Sequence, residues 1–390
     1  MRVIVAGLGA AGSMTAWQLA KRGCEVIALE QFHIGHDRGS SHGESRIVRS
    51  VYPDALFTGL MNRAFELWET FEAEEACLPS PISEVVGKLV ERIGGLYVGD
   101  VASPNLQLAE VALQKAGSNF ELLSASEIRA RYPAFRVSSS ERAILDTGMG
   151  YARPGAIVRS AVALAAAAGA RVMENAPLRL WQETSNGVSV QLMTGETIEA
   201  DQLILACGSW IQKALVHTGV HLPLKVTRQV YAHFQPREHG ADACNAYLPG
   251  DFPVWIDADN NTYGFPLLSG ETGVKLASHD LGSTTDPDSV KREVLPVELE
   301  AMVHAVTERL PGLDTVPSYA GVCLYTSTPT EDFVIDTLPE QCNVHVLSAC
   351  SGHGFKFAPL IGAFGASLAL RDGIAVPDRF RLAAHTTSPA

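Results

Sequence analysis

Cysteines are few in this chain, and none is spaced for pairing. Its 390 residues include seven cysteines, an odd number, and there is no Cys-Xaa-Xaa-Cys pair. That pattern favours neither a disulfide framework nor a zinc site. We therefore expect a reducing cytoplasmic environment and no bound metal.

Long apolar runs and a basic surface are also missing. The best apolar stretch, residues 156–168, is shorter than a membrane span of about 18 residues and contains Arg159 and Ser160. The formal charge of −13 would repel nucleic acid and anionic membranes. Arg2 and the apolar residues after it superficially resemble a secretion signal, but they belong to the nucleotide-binding pattern described next. We expect neither a nucleic-acid partner nor a membrane partner.

A glycine-bearing loop near the N-terminus is the first strong positive signal. Residues 3–6 read as a buried strand, and residues 13–22 have helical spacing. Between them, Gly7 permits a tight turn, Gly9 lets the backbone approach a pyrophosphate, and Gly12 lets the helix pack closely. A second predicted strand ends at Glu30, whose carboxylate can accept hydrogen bonds from an adenosine ribose. These features predict a dinucleotide site and leave open which dinucleotide it binds.

Apolar strands that end in small residues recur later in the chain. Residues 202–210 form a strand that ends in Ala-Cys-Gly, as in many FAD proteins that return to the nucleotide domain. Residues 343–350 form another predicted strand, followed by the glycine loop 351–357 and the apolar helix 358–370. The N-terminus of that helix would stabilise negative charge on whatever the loop holds. The two glycine loops together predict a bound flavin.

The middle of the chain has a different pattern. Residues 229–234, 252–256, 263–265 and 273–278 alternate as antiparallel strands do and could wall a substrate pocket. No repeat or long linker separates the halves, so we expect interleaved domains. The predicted fold class is α/β (α+β), with a Rossmann-like FAD-binding domain interleaved with a substrate domain on a mainly antiparallel sheet. The predicted FAD-binding domain comprises residues 1–80, 140–220 and 321–382, the substrate-binding domain residues 81–139 and 221–320, and the flexible tail residues 383–390.

Four ordered blocks carry a family resemblance over nearly the full length. They are residues 39–49, residues 263–266 with Lys275 and His279 downstream, residues 321–326, and residues 351–357. With these blocks the chain resembles the monomeric sarcosine oxidase and N-methyltryptophan oxidase family of FAD-dependent amine oxidases. Three departures are visible: Ser45 replaces a threonine, Trp255 falls approximately where sarcosine oxidases carry a methionine over the substrate, and residues 78–98 match poorly.

The resemblance implies roles for individual residues. Cys323 would bond through sulfur to the flavin 8α-methyl group, Arg49 and Lys356 would hold a substrate carboxylate, and Lys275 would activate dioxygen. The expected catalytic residues are Lys275, Arg46, His42, Tyr263 and His279, and the expected substrate-binding residues are Arg49, Lys356, Tyr325 and Trp255. The expected cofactor-binding residues are Gly7, Gly9, Ala10, Ala11, Gly12, Glu30, Ser41, His42, Ser45, Arg46, Val172, Cys323, Gly352, Gly354, Phe355 and Lys356.

The implied reaction is the oxidation of a secondary (N-methyl) or cyclic amino acid. A hydride equivalent would pass to flavin N5, water would hydrolyse the imine, and dioxygen would be reduced to hydrogen peroxide. The implied partners are therefore a small amino acid and dioxygen, and a monomer is expected. An FAD-dependent dehydrogenase that uses an electron carrier and a non-catalytic nucleotide-binding protein are the alternatives. A nicotinamide-dependent reductase would need a second fingerprint loop, and none is visible between residues 50 and 320.

Overall fold

A computed structural model describes residues 1–237, 244–280 and 282–385. Its strands are β1 (Arg2–Ala6), β2 (Glu25–Leu29), β3 (Arg46–Val48), β4 (Val90–Arg92), β5 (Gly95–Asp100), β6 (Phe120–Ser124), β7 (Glu141–Asp146), β8 (Gly150–Ala152), β9 (Arg171–Met173), β10 (Leu178–Thr184), β11 (Gly187–Leu192), β12 (Thr197–Ala200), β13 (Gln202–Leu205), β14 (Lys225–Phe234), β15 (Val254–Asp257), β16 (Thr262–Gly264), β17 (Val274–Ser278), β18 (Tyr319–Ser327), β19 (Val334–Leu338) and β20 (Gln341–Ser348). Its α-helices are α1 (Ala10–Ala20), α2 (Ala55–Glu75), α3 (Ser83–Val86), α4 (Pro104–Ala116), α5 (Ala125–Arg131), α6 (Pro154–Ala167), α7 (Ile211–Leu215), α8 (Glu300–Arg309), α9 (Ala358–Leu370) and α10 (Leu382–His385).

A six-stranded sheet organises the nucleotide-binding half. Its strand order is β19-β20-β13-β1-β2-β9, and every pair is parallel except β19 with β20. The apolar residues of β1 and β2 are buried because helices α1, α6 and α9 and the small sheet β10-β11-β12 cover the sheet. The predicted Rossmann-like strand, loop and helix at the N-terminus is confirmed. So is the predicted return strand at residues 202–205.

An eight-stranded sheet forms the second half, in the order β18-β14-β17-β16-β15-β5-β7-β6. All of its pairs are antiparallel except β15 with β5. A second small sheet has the strand order β3-β8-β4. The predicted mainly antiparallel sheet is therefore present, and the mixed α/β fold is confirmed.

The predicted domain limits differ from the sheet boundaries in two places. Strand β18 crosses the limit at residue 321, yet it pairs with β14 from Lys225 opposite Ser327 to His233 opposite Tyr319. Strand β7 lies beyond the limit at residue 140, yet it pairs between β5 and β6. Both strands belong to the eight-stranded sheet, because long-range pairing rather than chain order decides their place.

Part of the predicted flexible tail is helical. Residues 383–385 lie in helix α10, where Leu382 N donates to Asp336 Oδ2 over 2.9 Å. A ring nitrogen of His385 contacts Phe333 O at 3.0 Å. These contacts hold α10 against β19, and the rest of the predicted tail, residues 386–390, lies outside the described residues. In the part of the chain that the structure describes, no helix is both long and apolar enough to span a bilayer.

Candidate active site

One elongated cavity of about 900 Å³ lies between the two large sheets. It runs from the loop after β1, past residues 39–49, to the loop 349–356. Eighteen of the predicted site residues line it: Gly7, Gly9, Ala10, Ala11, Glu30, Ser41, Ser45, Arg46, Arg49, Tyr263, Lys275, His279, Cys323, Tyr325, Gly352, Gly354, Phe355 and Lys356. The fold thus brings residues from both ends of the chain to one site.

The first glycine loop forms a tight cradle at one end of the cavity. Gly7 has φ +93°, and a Cβ there would lie 2.5 Å from the carbonyl oxygen of Ala206. A Cβ at Gly12 would lie 1.8 Å from Gly7 O, so Gly12 permits helix packing and does not line the cavity. At the start of α1, Ala10 N donates to Ser41 Oγ over 3.0 Å. The N-terminus of α1 behind this loop suits a pyrophosphate.

Glu30 closes this end of the cavity as an ionised carboxylate. Its Oε2 accepts from Leu8 N over 2.8 Å, its Oε1 accepts from Phe32 N over 3.0 Å, and His36 Nε2 lies 3.4 Å away. Burial alone would raise the pKa of Glu30, but His36 and the two backbone N–H groups outweigh it, and the pKa is lowered. The charged carboxylate can therefore accept hydrogen bonds from a ribose, as predicted.

Cys323 and Arg46 meet in the middle of the cavity. The Arg46 guanidinium donates to the carbonyl oxygens of Ser45 and Ser40 over 2.8 and 3.1 Å. It also lies 3.6 Å from Cys323 Sγ. The sulfur is buried and lines the cavity next to the positive charge of Arg46.

Lys275 lies nearby on β17 and is almost fully buried. Its Nζ donates to the carbonyl oxygen and to the Oγ of Ser45, both over 3.1 Å. The rings of Tyr231 and Phe265 flank it at 4.9 and 5.1 Å. Burial and the Arg46 charge lower the pKa of Lys275 to about 7. The ammonium is thus held in a nonpolar wall beside Cys323.

Two further cations, Arg49 and Lys356, lie on either side of Tyr52. Lys356 Nζ donates to Tyr52 Oη over 2.9 Å and to His353 O over 2.7 Å. The Arg49 guanidinium stacks on the Tyr52 ring at 3.9 Å and donates to Val51 O. Burial, with the Arg49 charge, lowers the pKa of Lys356 well below its usual value.

No described carboxylate forms an ion pair with Arg49 or Lys356. The positive charge of Arg49 affects the pKa of Asp146. The Asp146 oxygens, however, accept hydrogen bonds from the backbone N–H groups of Ser50, Val51 and Gly148 and not from Arg49. Lys356 is buried and Arg49 is half-buried. Since cations withdrawn from solvent normally have anionic partners, this pair is suited to binding an external anion.

Aromatic and imidazole side chains close the cavity above this pair. The hydroxyl oxygens of Tyr263 and Tyr325 lie 3.4 Å apart, and burial raises the pKa of both. His279 Nε2 lies 3.6 Å from Glu331 Oε2. Gly352 has φ +70°, and a Cβ there would lie 2.4 Å from Tyr325 Cε2 and 2.7 Å from His279 Cε1. The second glycine loop is therefore required for these rings to approach it.

Trp255, His42 and Val172 do not line the cavity, contrary to the prediction. Side chains alternate along a strand, so Trp255 faces away when its neighbour Ile256 lines the cavity, and its ring packs on Phe135 at 5.4 Å. His42 is buried, and burial and Arg46 lower its pKa to about 3. Val172 pairs with Ala28 in the six-stranded sheet.

Sequence reasoning missed Tyr52, Tyr231 and Glu271. Tyr52 organises the cation pair, and Tyr231 flanks Lys275. Glu271 accepts from Ser45 Oγ over 3.2 Å. A signal for Glu271 was present, because Glu271 and Lys275 are the only charged residues between positions 262 and 278.

The residues of the cavity fit FAD. The cradle and Glu30 suit its ADP half, and the rest of the cavity offers a buried thiol together with four cations for a flavin and an anionic substrate. No group of three or more potential metal ligands occurs among residues 1–237, 244–280 and 282–385.

Comparisons with known proteins agree with this assignment. Residues 2–368 match the model of the FAD dependent oxidoreductase family. The chain is 35% identical to a monomeric sarcosine oxidase of Streptomyces avermitilis, over 98% of each chain. It is 28% identical to the N-methyl-L-tryptophan oxidase of Citrobacter koseri, over 94% of each chain.

The fold itself resembles that of a solved amino acid oxidase. NikD, an oxidase essential for nikkomycin biosynthesis, superposes with a TM-score of 0.81 at 24% identity, over 97% of this chain and 96% of its own. The family match spans nearly the whole chain. The chain therefore belongs to the FAD-dependent oxidoreductases, in the group that contains the monomeric sarcosine oxidases and N-methyl-L-tryptophan oxidases.

Proposed function

We propose that this protein is an FAD-dependent oxidase of a secondary (N-methyl) or cyclic amino acid that releases hydrogen peroxide. The observation that carries the proposal is the cation pair of half-buried Arg49 and buried Lys356, which has no ion-pair partner among the described residues and shares one cavity with Lys275 and Cys323. An amino acid substrate supplies the missing carboxylate. The sarcosine and N-methyl-L-tryptophan oxidases among its relatives support this substrate class.

The residues that would hold the cofactor come from both halves of the chain. The Gly7 to Ala11 loop would receive the pyrophosphate, Glu30 would bind the ribose, and Cys323 would hold the flavin through a thioether. Bound FAD supplies a hydride acceptor and transfers the electrons to dioxygen. Arg46, 3.6 Å from Cys323 Sγ, places a positive charge beside the proposed point of attachment.

The substrate end of the cavity fixes orientation. Arg49 offers a planar guanidinium and Lys356 a point charge, so together they bind the carboxylate and direct the amine toward Tyr263, Tyr325 and His279. The amine must bind unprotonated, because loss of hydride from its α- or N-methyl carbon needs the nitrogen lone pair. The resulting imine is hydrolysed by water.

Lys275 supplies positive charge where dioxygen is reduced. It is fixed by two hydrogen bonds to Ser45 and enclosed by Tyr231 and Phe265, so its charge acts in a nonpolar, preorganised environment. Relatives named as monomeric support the proposal that the protein acts as a monomer.

The first experiment is acid precipitation of the purified protein, followed by a screen of amino acids for peroxide release. Yellow colour in the pellet and peroxide from N-methyl or cyclic amino acids are expected. Colour in the supernatant would contradict the Cys323 thioether, and a colourless protein that FAD cannot reconstitute would contradict the oxidase proposal.

A second experiment separates an oxidase from a dehydrogenase. In Lys275→Met we expect the rate of reoxidation by dioxygen to fall at least about 100-fold, while anaerobic reduction by substrate changes less than about 10-fold. Equal loss in both steps, or a wild-type protein that reacts only with an artificial electron acceptor, would favour the dehydrogenase.

A further inference from the structure

Glu271 is a buried acid that the reaction as proposed does not use. It lies in the connection between β16 and β17, four residues before Lys275, and it does not line the cavity. Its Oε2 is shielded from solvent and has no hydrogen-bond partner in the described part of the chain. A carboxylate oxygen in that state is costly unless a nearby positive charge stabilises it.

A single hydroxyl connects Glu271 to Lys275. Lys275 Nζ donates to Ser45 Oγ over 3.1 Å, and Ser45 Oγ donates to Glu271 Oε1 over 3.2 Å. The hydroxyl has one proton, with which it donates a hydrogen bond to the carboxylate. Its oxygen lone pair accepts the hydrogen bond from the ammonium. The chain of bonds therefore has one direction, from cation to anion.

The other groups around Lys275 leave Glu271 as its principal counter-charge. Arg46 is itself positive and disfavours the charged form of Lys275. His42 and His233 offer no negative charge, and burial, with the charge of Lys275, lowers the pKa of both. The Cys323 thiol lines the cavity. Glu44 is exposed, so solvent screens its interaction with Lys275. The remaining neighbours are the rings of Tyr231 and Phe265.

We propose that Glu271 is a positioning residue for Lys275. Glu271 acts through Ser45 to keep the Lys275 ammonium protonated and directed into the cavity. Burial of Lys275 beside Arg46 favours its neutral form, and burial raises the pKa of Glu271. The attraction between the ammonium and the carboxylate opposes both shifts. Without that charge, Lys275 would release its proton at lower pH, and its electrostatic effect on dioxygen would be lost in the neutral range. The dioxygen role rests on the proposed function, but the protonation of Lys275 does not.

The test is a pH titration of Lys275 in the holoenzyme, observed by NMR with lysine labelled with carbon-13 at Cε. The signal of Lys275 is assigned by its absence in Lys275→Met. We expect Glu271→Gln, which keeps the shape of the side chain, to lower the titration midpoint of Lys275 by about one unit or more. Glu271→Asp keeps the charge and should restore most of the midpoint.

Glu44→Gln is the matched control, because it removes an exposed acid from the same surroundings and should shift the midpoint by less than about 0.3 units. An unchanged midpoint in Glu271→Gln, or equal shifts in Glu271→Gln and Glu44→Gln, would overturn the proposal. If Glu271→Gln does not fold, Glu271→Met is the second uncharged replacement, and the same two outcomes decide: a lowered midpoint supports the charge role and an unchanged midpoint contradicts it.

Stopped-flow reoxidation by dioxygen separates this inference from the proposed function. We expect its pH profile in Glu271→Gln to move with the Lys275 midpoint. A midpoint that shifts without any change in reoxidation would support the Glu271 role and contradict the dioxygen role of Lys275.

Discussion

Lys356 donates two hydrogen bonds but has no ionic partner among the described residues. Anion binding at this site should therefore depend on pH. Burial and Arg49 lower its pKa, so the free side chain loses its proton as pH rises. A bound carboxylate favours the protonated form, and binding should therefore weaken with rising pH. A small carboxylate without a basic amine isolates this effect from titration of the substrate nitrogen.

Replacement of the cation tests the same site directly. Because a hydrogen-bonded buried charge contributes about 1.5–3 kcal/mol, Lys356→Met should lower kcat/KM by about 10- to 100-fold and abolish the pH dependence of carboxylate binding. Binding is followed by the change in flavin absorbance. Lys21→Met, which removes an ammonium paired with Glu74 at the surface, is the control and should leave both measurements unchanged. A pH dependence that persists in Lys356→Met would assign it to another group.

Cys323 and Cys350 both line the cavity, which allows a matched test of flavin attachment. In Cys323→Ser we expect the flavin to appear in the supernatant after acid precipitation, because a serine hydroxyl cannot form the thioether. Cys350→Ser should keep the colour in the pellet. Retention of colour by Cys323→Ser would show that attachment occurs elsewhere.

At the scale of elements, the contact between α1 and α9 depends on glycine. A Cβ at Gly362 would lie 2.7 Å from both C and Cβ of Met14, and a helix backbone cannot yield as a flexible side chain does. Gly362→Ala should therefore lower the free energy of unfolding by about 1–3 kcal/mol. Denaturant titration of the two proteins measures the difference.

Gly59 in α2 provides the opposite case. It is exposed, and a Cβ there would meet nothing within 4 Å. Gly59→Ala should stabilise the protein by about 0.5–1 kcal/mol, because alanine loses less backbone entropy in a helix. Destabilisation by both substitutions would show that the α1–α9 contact is not the cause.

Strands illustrate what pattern alone could not decide. The alternation of residues 252–256 predicted a strand correctly, but it did not indicate which face meets the cavity. The pairing of β15 with β16 and β5 places Ile256 on the cavity side and Trp255 against Phe135. Alternation with a period of two is the same for either face, so pairing with the neighbouring strands decides which face meets the cavity.

At the scale of the whole molecule, buried imidazoles couple stability to acid. His345 on β20 contacts Thr337 Oγ1 and Gln202 Oε1, both at 2.9 Å, and so links three strands. Burial lowers its pKa to about 4, so the unfolded chain binds a proton between about pH 6.5 and 4 that the folded protein does not. Stability from this group is present above about pH 6.5 and is lost as pH falls toward 4.

The expected loss from His345 is about 3 kcal/mol at most across that range. His345→Gln should reduce the steepness with which the unfolding free energy falls between pH 6.5 and 4, whatever its effect at pH 7. His304→Gln, at an exposed position, should leave the slope as it is. Equal slopes for His345→Gln and the wild type would contradict the titration assigned here.

Local features of this chain could be predicted from short stretches of sequence. They are the glycine loop with Glu30, the alternating strands, the helix at residues 358–370 and the four blocks that carry the family resemblance. These depend on backbone conformation and periodicity, which a few neighbouring residues control. Tertiary structure decided which strands share a sheet, which face of β15 meets the cavity, and that Glu271, Ser45 and Lys275 are connected. The physical reason is that these contacts join residues up to about 230 positions apart, and only long-range strand pairing and close packing bring them within hydrogen-bond distance.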